Sequence, residues 1–281
     1  MPNRILKIIK NIIFTFIFIL FGCKTTKLPN KKYYQYEYEK SYSYKNDSLK
    51  IEIKNPLYSP LRIWFINSDS EIQNKLNQIN PIVLESKTDT IITLTNILKF
   101  NNQLSFSSRL GSLSKKITEI ELDFPFKDNK EYVVLQGNNT NFTHNTNWSK
   151  YAIDFNLKTN DTICSATNGY VVGVVNDYKY SGKGQEWKSF SNFITIYEPN
   201  SGIFCQYAHL VKNGSLVKVG DKIERGQKIG LSGNTGQSTR EHLHFSCLIP
   251  VNTEDGLKSI PITFVNGQKG IELKNGDKVK K

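Results

Sequence analysis

The chain has 281 residues, 38% of them hydrophobic, which is enough for one large or two ordinary domains with apolar cores. Basic residues outnumber acidic ones by 37 to 25, for a formal net charge of +12. The basic residues are dispersed along the chain, which argues against a nucleic-acid-binding protein and is compatible with binding to anionic polymers or lipid head groups.

The first 22 residues have the pattern of an export signal. Arg4, Lys7 and Lys10 are not accompanied by any acid, and an almost unbroken apolar run follows from Ile12 to Phe21. About ten residues are too few to span the ~30 Å bilayer core, which needs ~20, but they match the apolar region of a secretory signal. We therefore predict a signal peptide over residues 1–22.

The end of this segment, Leu20-Phe21-Gly22-Cys23, resembles the lipobox of bacterial lipoproteins, in which the cysteine becomes the lipid-modified N-terminus. We predict lipidation of Cys23 and a tether over residues 23–33. The alternative is an ordinary signal peptide that happens to contain a cysteine. Under the sorting rule of some Gram-negative bacteria, Lys24 favours the outer membrane. The predicted location is therefore the cell envelope, as a membrane-anchored lipoprotein on the periplasmic side of the outer membrane.

Residues 34–126 have the pattern of an all-β, β-sandwich-like domain. Apolar and polar residues alternate over short runs such as Leu49, Ile51 and Ile53, and Asn-Pro, Ser-Pro and polar clusters interrupt the runs. This part contains no histidine and no cysteine. Its role is left open between a spacer, a lid over a groove and a partner-binding module. The Asn- and Thr-rich residues 127–143 are predicted to be a linker.

A second β-rich domain is predicted over residues 144–265, followed by a lysine-rich tail over 266–281 whose last residues are expected to fray. Its candidate strands are Tyr151–Leu157, Tyr170–Asn176, Asn192–Tyr197, Ile203–Leu210, Lys228–Ser232 and His242–Ile249. Cys164, Cys205 and Cys247 are far apart and lie in apolar or strand-like runs. We predict three buried free thiols, with one disulfide as the alternative.

All four histidines, His144, His209, His242 and His244, lie in the C-terminal half. Histidine is the commonest metal ligand and is well suited to proton transfer near neutral pH. Successive side chains of a strand point to opposite faces, so residues 242 and 244 would share one face ~6.5 Å apart. The sequence therefore predicts a metal or proton-transfer site in this half.

The same reasoning applies to two other strands. Tyr207 and His209 would share a face of the strand 203–210. Asp154 would lie opposite the apolar face of the strand 151–157, where an unpaired acid is costly unless it is ion-paired or bound to a metal. Each of three strands thus offers a ligand-type side chain opposite a core face.

The segment 144–250 resembles the catalytic domain of M23 family zinc metallopeptidases, the LytM/lysostaphin-like peptidoglycan endopeptidases. The motifs that carry the resemblance are Tyr151-Ala152-Ile153-Asp154-Phe155, Asn192–Ile196, Tyr207-Ala208-His209-Leu210, Val219–Ile223, Gly226–Gly236, Ser238-Thr239 and His242-Leu243-His244-Phe245. The resemblance implies an antiparallel β-sheet domain of the duplicated-hybrid-motif type.

By position, the resemblance implies that His144, Asp154 and His244 hold one zinc ion per chain. Three protein ligands leave the fourth tetrahedral position open, as a catalytic zinc requires. Nine residues separate His144 from Asp154, whereas the commonest form of the family has three. The longer spacing is similar to that of a subgroup in which the histidine lies on the preceding loop.

The resemblance further implies that His209 and His242 are the catalytic side chains beside the open position. One would accept a proton from the attacking water, and both would stabilise the oxyanion and return a proton to the leaving amine. Asn192 and Tyr207 are the candidate substrate-binding residues.

The function implied is a zinc-dependent endopeptidase that hydrolyses amide bonds in peptidoglycan cross-linking peptides during cell-wall remodelling. The alternatives are a non-catalytic LytM-like regulator, which would activate another wall hydrolase, and a wall-binding scaffold. The partners implied are peptidoglycan and, through the lipid anchor, a membrane. No nucleic-acid partner is expected, and the oligomeric state is left open.

Overall fold

The structure is a computed structural model that describes residues 27–101 and 103–281. The predicted signal peptide, 1–22, and the lipidation site, Cys23, lie outside the described residues. Strands dominate, which confirms the all-β prediction. Within the described ranges no helix is long and apolar enough to cross a membrane.

The N-terminal domain consists of two three-stranded sheets and one helix in the described chain. Its elements are β1 (Glu39–Lys45), β2 (Ser48–Lys54), β3 (Leu61–Ile66), α1 (Ser70–Asn77), β4 (Ile82–Leu84), β5 (Asp89–Leu94) and β6 (Ser105–Leu110). The sheets have the orders β1-β2-β5 and β4-β3-β6. In β2, Leu49, Ile51 and Ile53 are buried and alternate with exposed residues. Leu61, Ile63 and Phe65 of β3 join the same core. The β-sandwich-like prediction is confirmed.

Helix α1 was not predicted. The Asp69 carboxylate caps its first turn by accepting hydrogen bonds from the backbone N–H groups of Glu71 and Ile72. Ile72 and Leu76, one turn apart, bury the only apolar stripe of the helix against the domain core.

The second domain is built from short strands. They are β7 (Glu121–Leu122), β8 (Glu131–Gln136), β9 (Ile153–Phe155), β10 (Thr162–Cys164), β11 (Gly169–Val175), β12 (Ser181–Gly182), β13 (Phe193–Glu198), β14 (Ile203–Ala208), β15 (Leu210–Ser215), β16 (Lys222–Ile223), β17 (Lys228–Ser232), β18 (Gly236–Gln237), β19 (Leu243–Pro250), β20 (Leu257–Ser259), β21 (Thr263–Phe264) and β22 (Lys278–Lys280). Two 3₁₀ helices cover Gln185–Phe190 and Gly270–Glu272.

The main sheet of this domain has the order β16-β11-β13-β14-β19-β9-β8-β22, with β20 paired to β19. A smaller sheet, β10-β17-β15, packs beneath it, and the pairs β12-β18 and β21-β7 complete the described strands. The core between the two layers includes Ile153, Ile194, Tyr207 and Phe245. The opposite face of the main sheet carries the functional side chains.

The predicted domain boundary at residue 126 needs correction. Leu122, Phe124 and Phe126 are buried in the core of the second domain, and β7 pairs with β21. The N-terminal sheets end with β6 at Leu110. Alternation of apolar and polar residues can indicate a strand, but it cannot reveal which domain that strand joins.

The predicted linker and the predicted frayed tail also need correction. Within residues 127–143, β8 pairs with β9 in the main sheet. The tail strand β22 pairs with β8 on its other side, and Lys281 Nζ lies 3.0 Å from Asp123 Oδ2. Both segments are ordered because each satisfies the backbone hydrogen-bonding groups of the other.

The N-terminal domain packs on one part of the functional face of the main sheet. Val172, Tyr197, Phe204, Leu248 and Leu257 of the second domain are buried in the core of the first. The buried Arg62 guanidinium donates hydrogen bonds to backbone carbonyls of both domains, those of Leu110, Gly111, Val251 and Gly256. The two domains therefore share a core, and only the rest of that sheet face is open.

The three cysteines of the second domain are free and buried, as predicted. Cys205 and Cys247 face each other across β14 and β19, with their Sγ atoms 3.1 Å apart.

Candidate metal centre

Two of the predicted ligands are brought together by strand register. His244 on β19 lies directly opposite Asp154 on β9, and its Nδ1 is 2.9 Å from Asp154 Oδ1. The neighbouring residues Leu243 and Phe245 point into the core. Side chains therefore alternate between the two faces of this strand, as predicted from the His-Leu-His sequence. The imidazole of His244 and the carboxylate of Asp154 lie side by side on the face opposite the core.

The third predicted ligand arrives on the loop between β8 and β9. His144 is fully buried, and its Nδ1–H donates a 2.7 Å hydrogen bond to the carbonyl of Gly137. Its Nε2 lies 3.2 Å from Asp154 Oδ1 and 3.3 Å from His244 Nδ1. His144 and Asp154 therefore meet although nine residues lie between them, because the intervening loop folds back over the strands.

These three side chains fit a metal ion. One ligand atom from each lies within 4.8 Å of the other two. The bond to Gly137 uses the Nδ1 hydrogen of His144, so its Nε2 faces the other two atoms with a lone pair. A carboxylate oxygen and two imidazole nitrogens at this spacing are typical of a catalytic zinc site.

His209 and His242 stand beside this cluster. Their ring centroids are 4.5 Å apart, and His242 Nε2 is 3.7 Å from Asp154 Oδ2. The Nδ1–H of His209 donates to the carbonyl of Thr235, and that of His242 donates to the carbonyl of Arg240. Each Nδ1 is therefore committed to the backbone, which leaves Nε2 as the nitrogen that can exchange a proton.

The electrostatics of the site favour an ionised Asp154 and a neutral His209. Burial opposes ionisation of Asp154, but the imidazoles of His242 and His144 together hold its pKa well below the usual range. Burial raises the cost of a charge on His209, and with the neighbouring His242 and His244 it lowers the pKa of His209 well below that of free histidine. His209 is therefore uncharged at neutral pH.

His209 reaches this position through a break in its strand. Strand β14 ends at Ala208, and His209 has a left-handed backbone with φ of 66°. The break turns the His209 side chain onto the face of Gln206 and Ala208, whereas Tyr207 stays on the core face. The prediction that Tyr207 shares a face with His209 is wrong, because regular alternation does not continue through a positive-φ residue.

Tyr207 is consequently not a substrate-binding residue. Its side chain is fully buried, and its hydroxyl accepts a 2.8 Å hydrogen bond from the backbone N–H of Ala166.

We expect Tyr207→Phe to lower the free energy of unfolding by ~1–2 kcal/mol, because the amide of Ala166 loses its partner. The hydrolytic activity that the sequence predicts should be unchanged. Denaturant unfolding and steady-state kinetics test this, and a raised KM with unchanged stability would contradict it.

The substrate-binding prediction for Asn192 is also wrong. Asn192 is fully buried. Its Oδ1 accepts from the backbone N–H of Tyr178, and its Nδ2 donates to the carbonyls of Tyr178, Leu210 and Val211. Both amide hydrogens and one lone pair of Oδ1 hold these loops together, and the burial of the side chain keeps it from a substrate.

Two of the predicted ligands, Asp154 and His244, line a cavity of about 900 Å³ together with the two further histidines. Lys183, Lys188 and Arg240 also line it, against a single acidic side chain, Asp255, besides Asp154. Gln35, Trp148 and Gln206 line it as well, and none of these three was predicted. Gln206 was detectable in principle, because it precedes Tyr207 and lies on the opposite face of β14.

Comparison with known proteins agrees with this geometry. Residues 149–255 match the sequence profile described as Peptidase family M23. An uncharacterized metalloprotease of Buchnera aphidicola is 36% identical over 129 residues, or 45% of this chain and 30% of the relative. Peptidoglycan DD-endopeptidase ShyA of Vibrio cholerae is 36% identical over 102 residues, or 35% of this chain and 21% of the relative. The chain therefore spans less than a third of the length of either relative.

Among solved structures, the catalytic domain of lysostaphin from Staphylococcus simulans aligns over 46% of this chain and 87% of its own, with 23% identity and a TM-score of 0.33. The profile match includes Asp154, His209, His242 and His244, and His144 lies five residues before it. Within residues 149–255, the chain carries a domain of peptidase family M23.

Proposed function

We propose that the protein is a zinc-dependent endopeptidase that hydrolyses amide bonds in the cross-linking peptides of peptidoglycan. The observation that carries the proposal is the convergence of His144, Asp154 and His244 within 4.8 Å of one another, beside two further imidazoles on an open cavity. Two relatives of the M23 segment are peptidoglycan DD-endopeptidases of Vibrio cholerae, and a glycyl-glycine endopeptidase is a third.

In this mechanism His144, Asp154 and His244 hold the metal, with Gly137 fixing the tautomer of His144. When bound, zinc supplies Lewis-acid activation of water and of the substrate carbonyl. His209, neutral because of its lowered pKa, accepts the proton of the attacking water at Nε2. The protonated His209 then returns that proton to the leaving amine, and His242, whose Nδ1–H is held by a backbone carbonyl, presents Nε2 beside the reacting carbonyl.

We further propose that the protein acts in the cell envelope as a lipoprotein anchored through Cys23. The support is the basic, then apolar, then Gly-Cys pattern of the first 23 residues. A cross-linked wall polymer is confined to that compartment, so the proposed location agrees with the proposed substrate. Replacing Cys23 with Ser and following the protein between membrane and soluble fractions tests this part independently of hydrolysis.

The test of the enzymatic proposal is hydrolysis of purified sacculi, with zinc measured in the same preparation. We expect about one zinc per chain, as a three-ligand site requires. We also expect loss of hydrolysis on chelation and recovery when zinc is restored. Mass spectrometry of the released muropeptides identifies the bond that is cut. A protein that binds zinc and sacculi but releases no products would contradict the enzymatic proposal and favour the regulator.

A further inference from the structure

The groove floor beyond the metal centre is a row of polar residues in strand register. On β14 and β19, Ala208 lies opposite His244, and two residues along, Gln206 lies opposite Ser246. Gln206 is in turn opposite Thr195 on β13. Positions two apart on a strand are separated by ~6.5–7 Å. This polar row therefore lies at about that distance from the pair of His244 and Ala208.

The side chains of this row form a hydrogen-bonded chain across the sheet. The indole N–H of Trp148 donates to Gln206 Oε1 at 3.3 Å, and Gln206 Nε2 donates to Thr195 Oγ1 at 3.4 Å. The Thr195 hydroxyl donates to Gln35 Oε1 at 3.3 Å. Each carboxamide keeps N–H capacity that these bonds do not use. Gln35, Trp148 and Gln206 all line the cavity of the metal centre.

Gln35 comes from outside the family domain, on the segment that precedes the first strand. Its backbone carbonyl accepts a 2.8 Å hydrogen bond from the N–H of Val174 on β11. Its side chain lies over Gly173, where an added Cβ would meet Gln35 Oε1 at 2.3 Å. Two residues earlier, the Tyr33 N–H donates to the Tyr178 hydroxyl and the two rings pack at 5.0 Å. Tyr33, the last residue of the predicted tether, therefore packs on the second domain.

The polar row is also where the groove ends. Two residues further along the same face, Phe204 and Leu248 are opposite each other and are buried in the core of the N-terminal domain. A chain bound over the metal centre can extend in this direction by about two residues, given ~3.3 Å per extended residue, before it meets that domain.

We propose that Gln35, Gln206 and Trp148 form a peptide-binding subsite, which makes the N-terminal segment a determinant of substrate selection. The inference rests on the proposed endopeptidase function. The ligand class is extended, uncharged peptide main chain. The amide N–H groups of Gln35 and Gln206 donate to a carbonyl oxygen about two residues from the scissile bond, and the Trp148 indole flanks it.

The decisive variant is Gln35→Ala, because it removes the amide and leaves the backbone bond to Val174 in place. Its matched control is Tyr34→Ala, at the adjacent position, where the side chain is 83% exposed. Each is assayed on a cross-linked peptide with at least two residues on both sides of the cleaved bond, and on a version truncated to one residue on each side. Loss of one hydrogen bond to the substrate should raise KM for the long peptide ~10-fold, with kcat and zinc content unchanged.

For the truncated peptide, Gln35→Ala and Tyr34→Ala should both match the parent protein.

A second measurement tests the subsite independently of the enzymatic proposal. In an Asp154→Asn background, Gln35→Ala should weaken binding of the long peptide ~10-fold in calorimetry, whether or not the parent cleaves it. Equal behaviour of the two variants in both assays, or an equal loss on both peptides, would overturn the subsite. If the parent fails to cleave either peptide, only the enzymatic proposal falls.

Discussion

Replacing Asp154 with Asn is expected to abolish zinc binding and to reduce hydrolysis by at least ~10³-fold, the equivalent of several kcal/mol of metal-derived transition-state stabilisation. The amide has nearly the same shape as the carboxylate but lacks its charge and one acceptor. The carboxylate oxygens of Asp154 lie close to the ring nitrogens of three histidines. The distances are 3.2 Å to His144 Nε2, 3.7 Å to His242 Nε2 and 2.9 Å to His244 Nδ1. The measurement is zinc content and hydrolysis rate of the same preparation.

The matched control is Asp255→Asn, because Asp255 lines the same cavity and is exposed. It should retain zinc and most activity. Thermal unfolding of both variants should remain cooperative, since the strands that hold residue 154 pair through their backbones. An Asp154→Asn protein that still cleaves sacculi at the parental rate would refute the proposed mechanism.

Replacing His209 should separate proton transfer from metal binding. We choose His209→Asn, because asparagine tolerates the left-handed backbone at this position better than alanine does. The variant loses the neutral Nε2 acceptor, so we expect kcat to fall by ~10²–10⁴-fold. Zinc content should be unchanged, because no predicted ligand is altered. Metal analysis and steady-state kinetics test the two halves of this expectation.

The contrasting variant is His144→Asn, which should lose both zinc and activity. If His209→Asn also lost zinc, His209 would have to be counted among the ligands. If it kept full activity, His242 would be the proton acceptor and His209 would have only a structural role. Substitution of His209 alone therefore distinguishes its role from that of His242.

Strand alternation placed two of the predicted ligands opposite core faces, whereas their assignment as ligands came from the resemblance to the M23 family. His242-Leu243-His244 and Asp154 lie on faces that the neighbouring apolar residues define, and register then places residue 154 beside residue 244. His144 was not derivable in this way. Its position depends on a loop whose path is set by a hydrogen bond to Gly137, which no local pattern encodes.

The errors at Tyr207 and Asn192 have different physical origins: alternation cannot show where a strand stops, and it cannot show which polar side chains are already hydrogen-bonded within the protein. The left-handed residue at 209 puts the His209 side chain on the groove face, while Tyr207 stays on the core face. Asn192 looked polar and therefore available, but its side chain is buried and hydrogen-bonded to backbone groups from distant loops. Helix α1 could have been predicted from the sequence. Asp69 is a recognisable N-cap residue, and the apolar residues Ile72 and Leu76 that follow it are four residues apart, as on one face of a helix.

The core that the two domains share has a practical consequence for anyone who wishes to work with the family domain alone. A fragment trimmed to residues 149–255 would uncover Val172, Tyr197, Phe204 and Leu248, which the first domain now covers. It would also lose β8 and β22, leaving β9 as an unpaired sheet edge. Exposed aromatic surface beside an open edge invites self-association. Any recombinant form used for assay or crystallisation should therefore begin well upstream of the profile match and retain the final strand.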